Sequence, residues 1–249
     1  MKPLADFTVV DLTTNMPGPF CSTIMSDLGA RVIKVEPPGG DPLRHWPAMW
    51  SSVNRGKESI SLDLKTGKGR AVLGELVVLA DAVLEGWRPG VAKRLGADYE
   101  TLSKASPGLV YCSISGFGQT GPWRNRPGHD LNYLALSGYL GLQAEVEGRP
   151  WPPGVLVSDL AAGLYATIGV LAALTEPKTK RRGVFIDLSM AEAVLALVAP
   201  EIVRASPRGA SEGGPNVTSL PHYGVFQCSD GGWLSLGIVN EDHFWERFC

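Results

Sequence analysis

The chain has 249 residues, enough for one large domain, or one and a half, with a sizeable core. Its 23 Lys+Arg against 25 Asp+Glu leave a net charge of −2, so the basic excess expected of a sequence-independent binder of nucleic acid or anionic lipid is missing. Hydrophobic content of 44% with 19% charged residues is globular, and the 30 Gly and 19 Pro are spread between periodic segments, which excludes disorder and collagen-like repeats.

The N-terminal MKPLADFTVVDL reaches an acidic residue at Asp6 and has no long apolar run, so it leads into a first strand, Thr8–Leu12, rather than forming a signal segment. Short β-branched runs then alternate with helical periods. A helix is predicted over Phe20–Leu28, strands over Arg31–Val35 and Ser59–Leu64, a helix over Lys68–Leu79, and strands over Ala82–Leu84 and Leu109–Ser113. This alternation predicts an α/β class with a parallel sheet and helices on its faces. Helix dominates from Asp130 onward, over Asp130–Leu142, Ser158–Glu176 and Ser189–Arg204, the last following a strand Val184–Leu188. The apolar stretch Leu160–Leu174 is shorter than the roughly 20 residues of a membrane span, so no membrane partner is expected. Residues 205–222 collect Ser, Gly, Pro and Asn without period and read as a linker between a large domain, 1–204, and the start of a smaller α+β domain, 223–249. Within the latter, Tyr223–Cys228 and Trp233–Ile238 flank Ser229-Asp230-Gly231-Gly232, a hairpin signal. A helix over Glu241–Phe248 meets Cys249 without a cap, which reads as an interruption of the domain.

Cys21, Cys112, Cys228 and Cys249 are far apart and include no CxxC, so neither a zinc site nor a disulfide framework is expected, and a reducing cytosol fits. After the first strand the sequence offers Asn15-Met16-Pro17-Gly18-Pro19 in place of GxGxxG, which disfavours a dinucleotide dehydrogenase. Arg44, Arg55, Lys57, Lys65, Arg88 and Arg94 lie at positions where a phosphate-bearing ligand could be held, although each is also a candidate for an ordinary solvated charge. Arg88 stands out because Trp87-Arg88-Pro89-Gly90 follows the end of a strand, where open α/β sheets collect ligands. His129 and Asp130 follow Pro127-Gly128 at a helix start, where the ordinary reading makes Asp130 the cap and His129 a satisfied turn residue. Asp159 follows a strand-like Gly154–Val157 and opens an apolar helix, where either Ser158 or Asp159 would serve as the cap, or Asp159 would be a carboxylate presented to a cleft. Brought together, the two helix starts would offer a general acid/base pair, or a carboxylate nucleophile acting alone.

Several segments, taken in order, resemble the family III CoA-transferases, the superfamily of formyl-CoA transferase, carnitine CoA-transferase and the α-methylacyl-CoA racemases. They are Val10-Asp11-Leu12 with Pro17-Gly18-Pro19, the run Asp27–Glu36, Asn54-Arg55-Gly56-Lys57 with Leu62-Asp63-Leu64-Lys65, Arg88-Pro89-Gly90-Val91, Ser115-Gly116-Phe117-Gly118, and Asp159-Leu160-Ala161-Ala162-Gly163. The resemblance implies a Rossmann-like domain that takes a coenzyme A thioester as substrate, with no tightly bound cofactor or metal. Leu62, Asp63, Leu64, Lys65, Gly86, Trp87, Arg88 and Arg94 fall where the family contacts the nucleotide. Asp159 matches the catalytic aspartate, which attacks the acyl-CoA, forms a mixed anhydride and passes CoA to a carboxylic acid through an enzyme-CoA thioester. Gly213-Gly214 is the candidate for the loop that covers the site, and Pro37 stands where some transferases place a CoA-contacting Arg.

The racemase branch instead implies His129 and Asp159 as two bases, and the run Gly128–Gly138 is similar to its pattern. Its assisting Glu is out of register here, with Asn240 in place and Glu241 one residue late. The expectation is a cytoplasmic CoA-transferase, with an acyl-CoA racemase and an inactive CoA-binding fragment as alternatives. The family fold is an interlocked homodimer of longer chains, so the remainder of the small domain is expected beyond this sequence.

Overall fold

A computed structural model of the chain describes residues 2–177, 180–206, 217 and 220–249. Six strands make one sheet: β1 (Thr8–Asp11), β2 (Arg31–Glu36), β3 (Glu58–Ser61), β4 (Ala82–Glu85), β5 (Val110–Ser115) and β6 (Val184–Ser189). Their order is β3-β2-β1-β4-β5-β6 and every neighbouring pair is parallel. The three central strands are apolar runs buried on both faces, as a parallel sheet covered by helices requires. Their side chains alternate between two cores. Val9, Ala82, Leu84, Val110 and Cys112 point to one, and Val10, Val83 and Tyr111 to the other. Edge strand β3 is mostly exposed, which suits its Glu58-Ser59-Ile60-Ser61.

Helices α1 (Pro17–Asp27), α8 (Val157–Leu174) and α9 (Met190–Leu197) cover the first core, and α3 (Gly67–Leu79) covers the second. Helix α8 is long and apolar enough by composition to cross a bilayer, but its Ala161, Ala162, Ala166, Val170 and Leu174 are buried in the first core. Small residues let α8 approach α1 closely. A Cβ on Gly163 would sit 2.8 Å from both the Pro17 carbonyl oxygen and the Phe20 ring.

Several elements depart from the sequence expectation. The turn Pro42–His45 and helices α2 (Pro47–Asn54), α4 (Val91–Leu95) and α5 (Tyr99–Leu102) are too short to show a period. The helix expected over Asp130–Leu142 breaks into α6 (Asp130–Leu136) and α7 (Tyr139–Glu147), because Gly138 takes φ +86° and Ser137 Oγ donates to the Tyr133 carbonyl. The one expected over Ser189–Arg204 splits into α9 and α10 (Ala199–Ala205), where Pro200 opens the second segment. Gly154–Val157 is a bend running into α8, not a strand.

The chain divides into two compact units, Met1–Tyr139 with Pro152–Leu197, and Leu140–Trp151 with Val198–Cys249. Two stretches of the expected large domain, Leu140–Trp151 and 198–204, therefore pack in the second unit. That unit also holds β7 (Tyr223–Gln227) and β8 (Trp233–Gly237), an antiparallel hairpin, and α11 (Asp242–Phe248). Gly231 at φ +85° and the Gly232 amide donating to Asp230 Oδ1 at 2.9 Å close the hairpin turn. All four cysteines are free.

Candidate active site

The strand order reverses between β1 and β4, so the loops leaving their carboxyl ends diverge and open a crevice. The resulting cleft, of about 650 Å³, is lined by Thr13–Gly18 after β1, Gly86–Pro89 after β4, Ile114–Gly116 after β5, the segment from Arg124 to Tyr133, and Asp159.

A buried ionic cluster sets the β1 loop. Asp11 accepts from the Thr13 amide (2.9 Å), Thr13 Oγ1 (2.5 Å) and Ser22 Oγ (2.6 Å), and its carboxylate pairs with Lys57 at 3.2 Å and Lys34 at 3.9 Å. Burial works against its charge, but Lys34, Lys57 and the two hydroxyls outweigh it and hold the carboxyl well below the ordinary range. Lys34 donates to the Thr13 carbonyl at 2.8 Å and pairs with Asp41 at 3.1 Å. The loop these contacts hold is tight: a Cβ on Gly18 would lie 2.3 Å from Thr13, and Asn15 adopts φ +63°.

Three of the candidate phosphate ligands have partners within the chain. Lys57 is buried and donates to the Pro19 and Val53 carbonyls as well as to Asp11. Arg44 forms a two-pronged pair with Glu36 at 2.6 Å and lies 4.0 Å over the Trp50 ring. Arg55 pairs with Asp27. The Lys57 charge is matched inside the protein, whereas Arg44 and Arg55 are paired with their side chains 44% and 55% exposed.

Leu62, Asp63, Leu64 and Lys65 line a second cleft of about 380 Å³ together with Pro37, Trp87 and Leu95. Trp87 and Thr14 border both clefts, so the two adjoin. The Trp87 amide donates to Glu85 Oε2 at 2.8 Å, and burial pushes that carboxyl up to about 7. Of the expected nucleotide contacts, Leu62–Lys65 and Trp87 therefore share one cleft, and Gly86, Trp87 and Arg88 share the other with His129 and Asp159. Arg94 is exposed on α4 and lines neither. Gly213-Gly214 lies outside the described residues.

At the head of α8 the capping roles are exchanged relative to the sequence reading. Ser158 and Asp159 lie inside the first turn, and Leu156 before them supplies no side-chain cap. The cap comes from α6, where Asp130 Oδ1 accepts from the Ser158 amide at 2.6 Å and the Asp159 amide at 3.3 Å. Helix α6 in turn starts from His129, whose amide donates to Asn132 Oδ1 at 2.9 Å. With its own amide satisfied by Asp130, the Asp159 carboxylate has no hydrogen-bond partner among the described residues and lines the cleft. Burial, and then the charge of Asp130, push its carboxyl up to about 7. Tyr133 stands beside it, its ring against Gly116 and Gly128 and its hydroxyl donating to the Gly128 carbonyl at 2.8 Å. Burial and the Asp159 charge both raise the Tyr133 hydroxyl, while Arg88 acts the other way.

Arg124, Arg126 and Tyr133 line the cleft although the sequence reading did not single them out. The available signal was the basic run Arg124-Asn125-Arg126 directly ahead of Pro127-Gly128-His129. In the second unit, the Glu241 carboxylate accepts from the amides of Val239 (3.0 Å) and Asn240 (3.2 Å), and the Val239 bond leads in lowering its pKa.

The chain is similar to known proteins of one family. The chain is 37% identical to the mouse succinyl-CoA:glutarate CoA-transferase, over 98% of its own length and 58% of that protein. It is 36% identical to the human alpha-methylacyl-CoA racemase, over 98% of its length and 63% of the racemase. A crystal structure of a CAIB/BAIF family protein from Brucella suis superposes with a TM-score of 0.86 at 33% identity, covering 98% of this chain and 68% of that one. The chain thus spans about three-fifths of the length of these curated relatives. The family model of CoA-transferase family III matches residues 4–249, and the chain belongs to that family.

Proposed function

We propose that the protein transfers CoA from an acyl-CoA thioester to a second carboxylic acid, with Asp159 as the nucleophile. One observation carries the reading: a carboxylate with no hydrogen-bond partner among the described residues, at the head of α8, lines the same cleft as Gly86-Trp87-Arg88, and that cleft adjoins the one lined by Leu62–Lys65. The nucleotide would lie along Leu62–Lys65 and Trp87, leaving the thioester to reach Asp159. The name of the mouse relative, a succinyl-CoA:glutarate CoA-transferase, supports the reaction class.

In this reading an Asp159 oxygen bonds to the thioester carbonyl carbon, the C–S bond breaks, and CoA leaves as a thiolate, giving an aspartyl-acyl anhydride. The thiolate then bonds to the aspartyl carbonyl carbon and the first carboxylate departs. The acceptor carboxylate attacks the resulting aspartyl-CoA thioester and again expels CoA thiolate. That thiolate attacks the acceptor's acyl carbon, forming the new acyl-CoA and restoring Asp159. No proton is consumed overall, and CoA serves as substrate. The nucleophile is the ionised carboxylate, and with its pKa raised to about 7 the active fraction grows as pH rises through neutrality. A cytoplasmic location and an interlocked homodimer belong to the same reading, and the exposed Leu164 and Ile168 on α8 support association alone.

A second reading, racemisation of a 2-methylacyl-CoA, is favoured by His129 lining the cleft with Asp159. Incubation with an acyl-CoA in deuterated water, with and without carboxylate acceptors, separates the two. Transfer gives acceptor-dependent CoA exchange that is lost in Asp159→Ala. Deuterium entering the α-position without an acceptor, and lost in both His129→Ala and Asp159→Ala, would replace transfer by racemisation.

A further inference from the structure

The geometry points to Arg124 and Arg126 as a subsite for the distal carboxylate of a dicarboxylic acid, so that the acids exchanged are dicarboxylates. The inference rests on the transfer reading above and goes on to name its substrate class. Apart from Asp159, the fully charged side chains lining the large cleft are three guanidiniums, those of Arg88, Arg124 and Arg126, so the cleft favours anions. Arg88 belongs to the loop that includes Trp87, the residue shared with the Leu62–Lys65 cleft, and is placed to meet the phosphates of CoA. Arg124 and Arg126 belong instead to the segment that continues into His129 and Tyr133, and neither borders the smaller cleft.

The Arg126 end of this segment is built. Tyr133 packs edge-on against Phe117 with centroids 5.3 Å apart, and Phe117 packs edge-on against Trp123 at 5.6 Å. The Arg126 guanidinium lies 4.6 Å from the Trp123 centroid, and its amide donates to the Trp123 carbonyl at 2.8 Å, closing a turn. This aromatic row fixes the start of the guanidinium's reach from the same tyrosine that flanks Asp159. Arg124 and Arg126 are exposed, and like Arg70, Arg94 and Arg149 neither has a carboxylate partner among the described residues, whereas Arg31, Arg44, Arg55, Arg181 and Arg204 are paired. A planar guanidinium matches a carboxylate in two-point geometry. A purely apolar acyl group would gain nothing from these guanidiniums, so the pair favours an acid with a distal carboxylate.

The test uses wild type, Arg126→Gln and the double variant Arg124→Gln/Arg126→Gln. Acetyl-CoA is the donor, since it has no distal carboxylate, and glutarate and butyrate are the acceptors. The ratio of kcat/KM for glutarate to that for butyrate is expected to fall by roughly ten- to a hundredfold in the double variant, the loss of a charge-assisted pair. Equal losses for both acceptors, or a rise of the same size in the KM for acetyl-CoA, would overturn the assignment and place the arginines on the CoA phosphates. Calorimetric titration of the protein–CoA complex with glutarate reads the subsite without turnover. Glutarate binding that the double variant loses supports the subsite even if no transfer occurs, in which case the transfer reading alone fails. No glutarate binding by wild type, or binding unchanged in the double variant, overturns the subsite whatever the reaction.

Discussion

Replacing Asp159 with Asn should stabilise the protein, by an amount that grows as pH rises from about 4 to about 7 and is constant above. In the fold the carboxyl titrates near 7, against an ordinary value of 3.8, because burial and the neighbouring Asp130 charge oppose its ionisation. The folded state therefore holds this proton more tightly than the unfolded chain. Stability is full below pH 4, is lost as pH rises towards 7, and stays at its reduced level above. At about 1.4 kcal/mol per unit, a shift of roughly three units costs the wild type up to about 4 kcal/mol at pH 8, and partial access of cleft water brings the expected effect to roughly 2–4 kcal/mol. The substituted amide has no charge to bury, so urea melts should show the variant gaining that amount at pH 8 and about two-fifths of it at pH 5. An equal difference at both pH values, or a less stable variant at pH 8, would refute the account of how Asp130 and burial tune this carboxyl.

Asp130→Asn keeps an oxygen for the amides of Ser158 and Asp159 but removes the charge, so the acidic limb of the pH–rate profile should move to lower pH, whereas an unmoved limb would take Asp130 out of the tuning. Lys57→Met leaves Asp11 buried with one partner fewer and should destabilise by about 3–5 kcal/mol in chemical denaturation. Lys65→Ala should raise the KM for acyl-CoA while leaving the melting temperature unchanged, and Arg94→Ala should change that KM less than Lys65→Ala does, because Arg94 lines neither cleft. Gly163→Ala forces a methyl group against Pro17 and Phe20 where α1 meets α8, and a loss of about 1–3 kcal/mol is expected in the same melts.

The parallel sheet was legible because its central strands are apolar on both faces and separated by helical periods, as at Val83-Leu84 and Val110-Tyr111-Cys112. Asp159, Leu62–Lys65 and Gly86–Arg88 were legible as motif positions at strand and helix ends, and the fold gathers all but Arg94 of these expected contacts around two adjoining clefts. Cap assignment failed because it was made locally. Asp130 looks like the cap of its own helix, yet its acceptor serves amides 28 and 29 positions away. Lys57 reads as a solvated charge, since the Asp11 that claims it lies 46 residues earlier. The breaks at Gly138 and Val198 turn on a single φ and a single proline inside otherwise helical patterns, which a periodicity count passes over.

In the proposed reaction Asp159 carries CoA covalently. Incubating the protein with an acyl-CoA in the absence of acceptor, quenching with hydroxylamine and sequencing the peptides by mass spectrometry should find a hydroxamate at Asp159 and at no other carboxylate. A protein that exchanges CoA between acids yet shows no hydroxamate at Asp159, or shows one elsewhere, would contradict it.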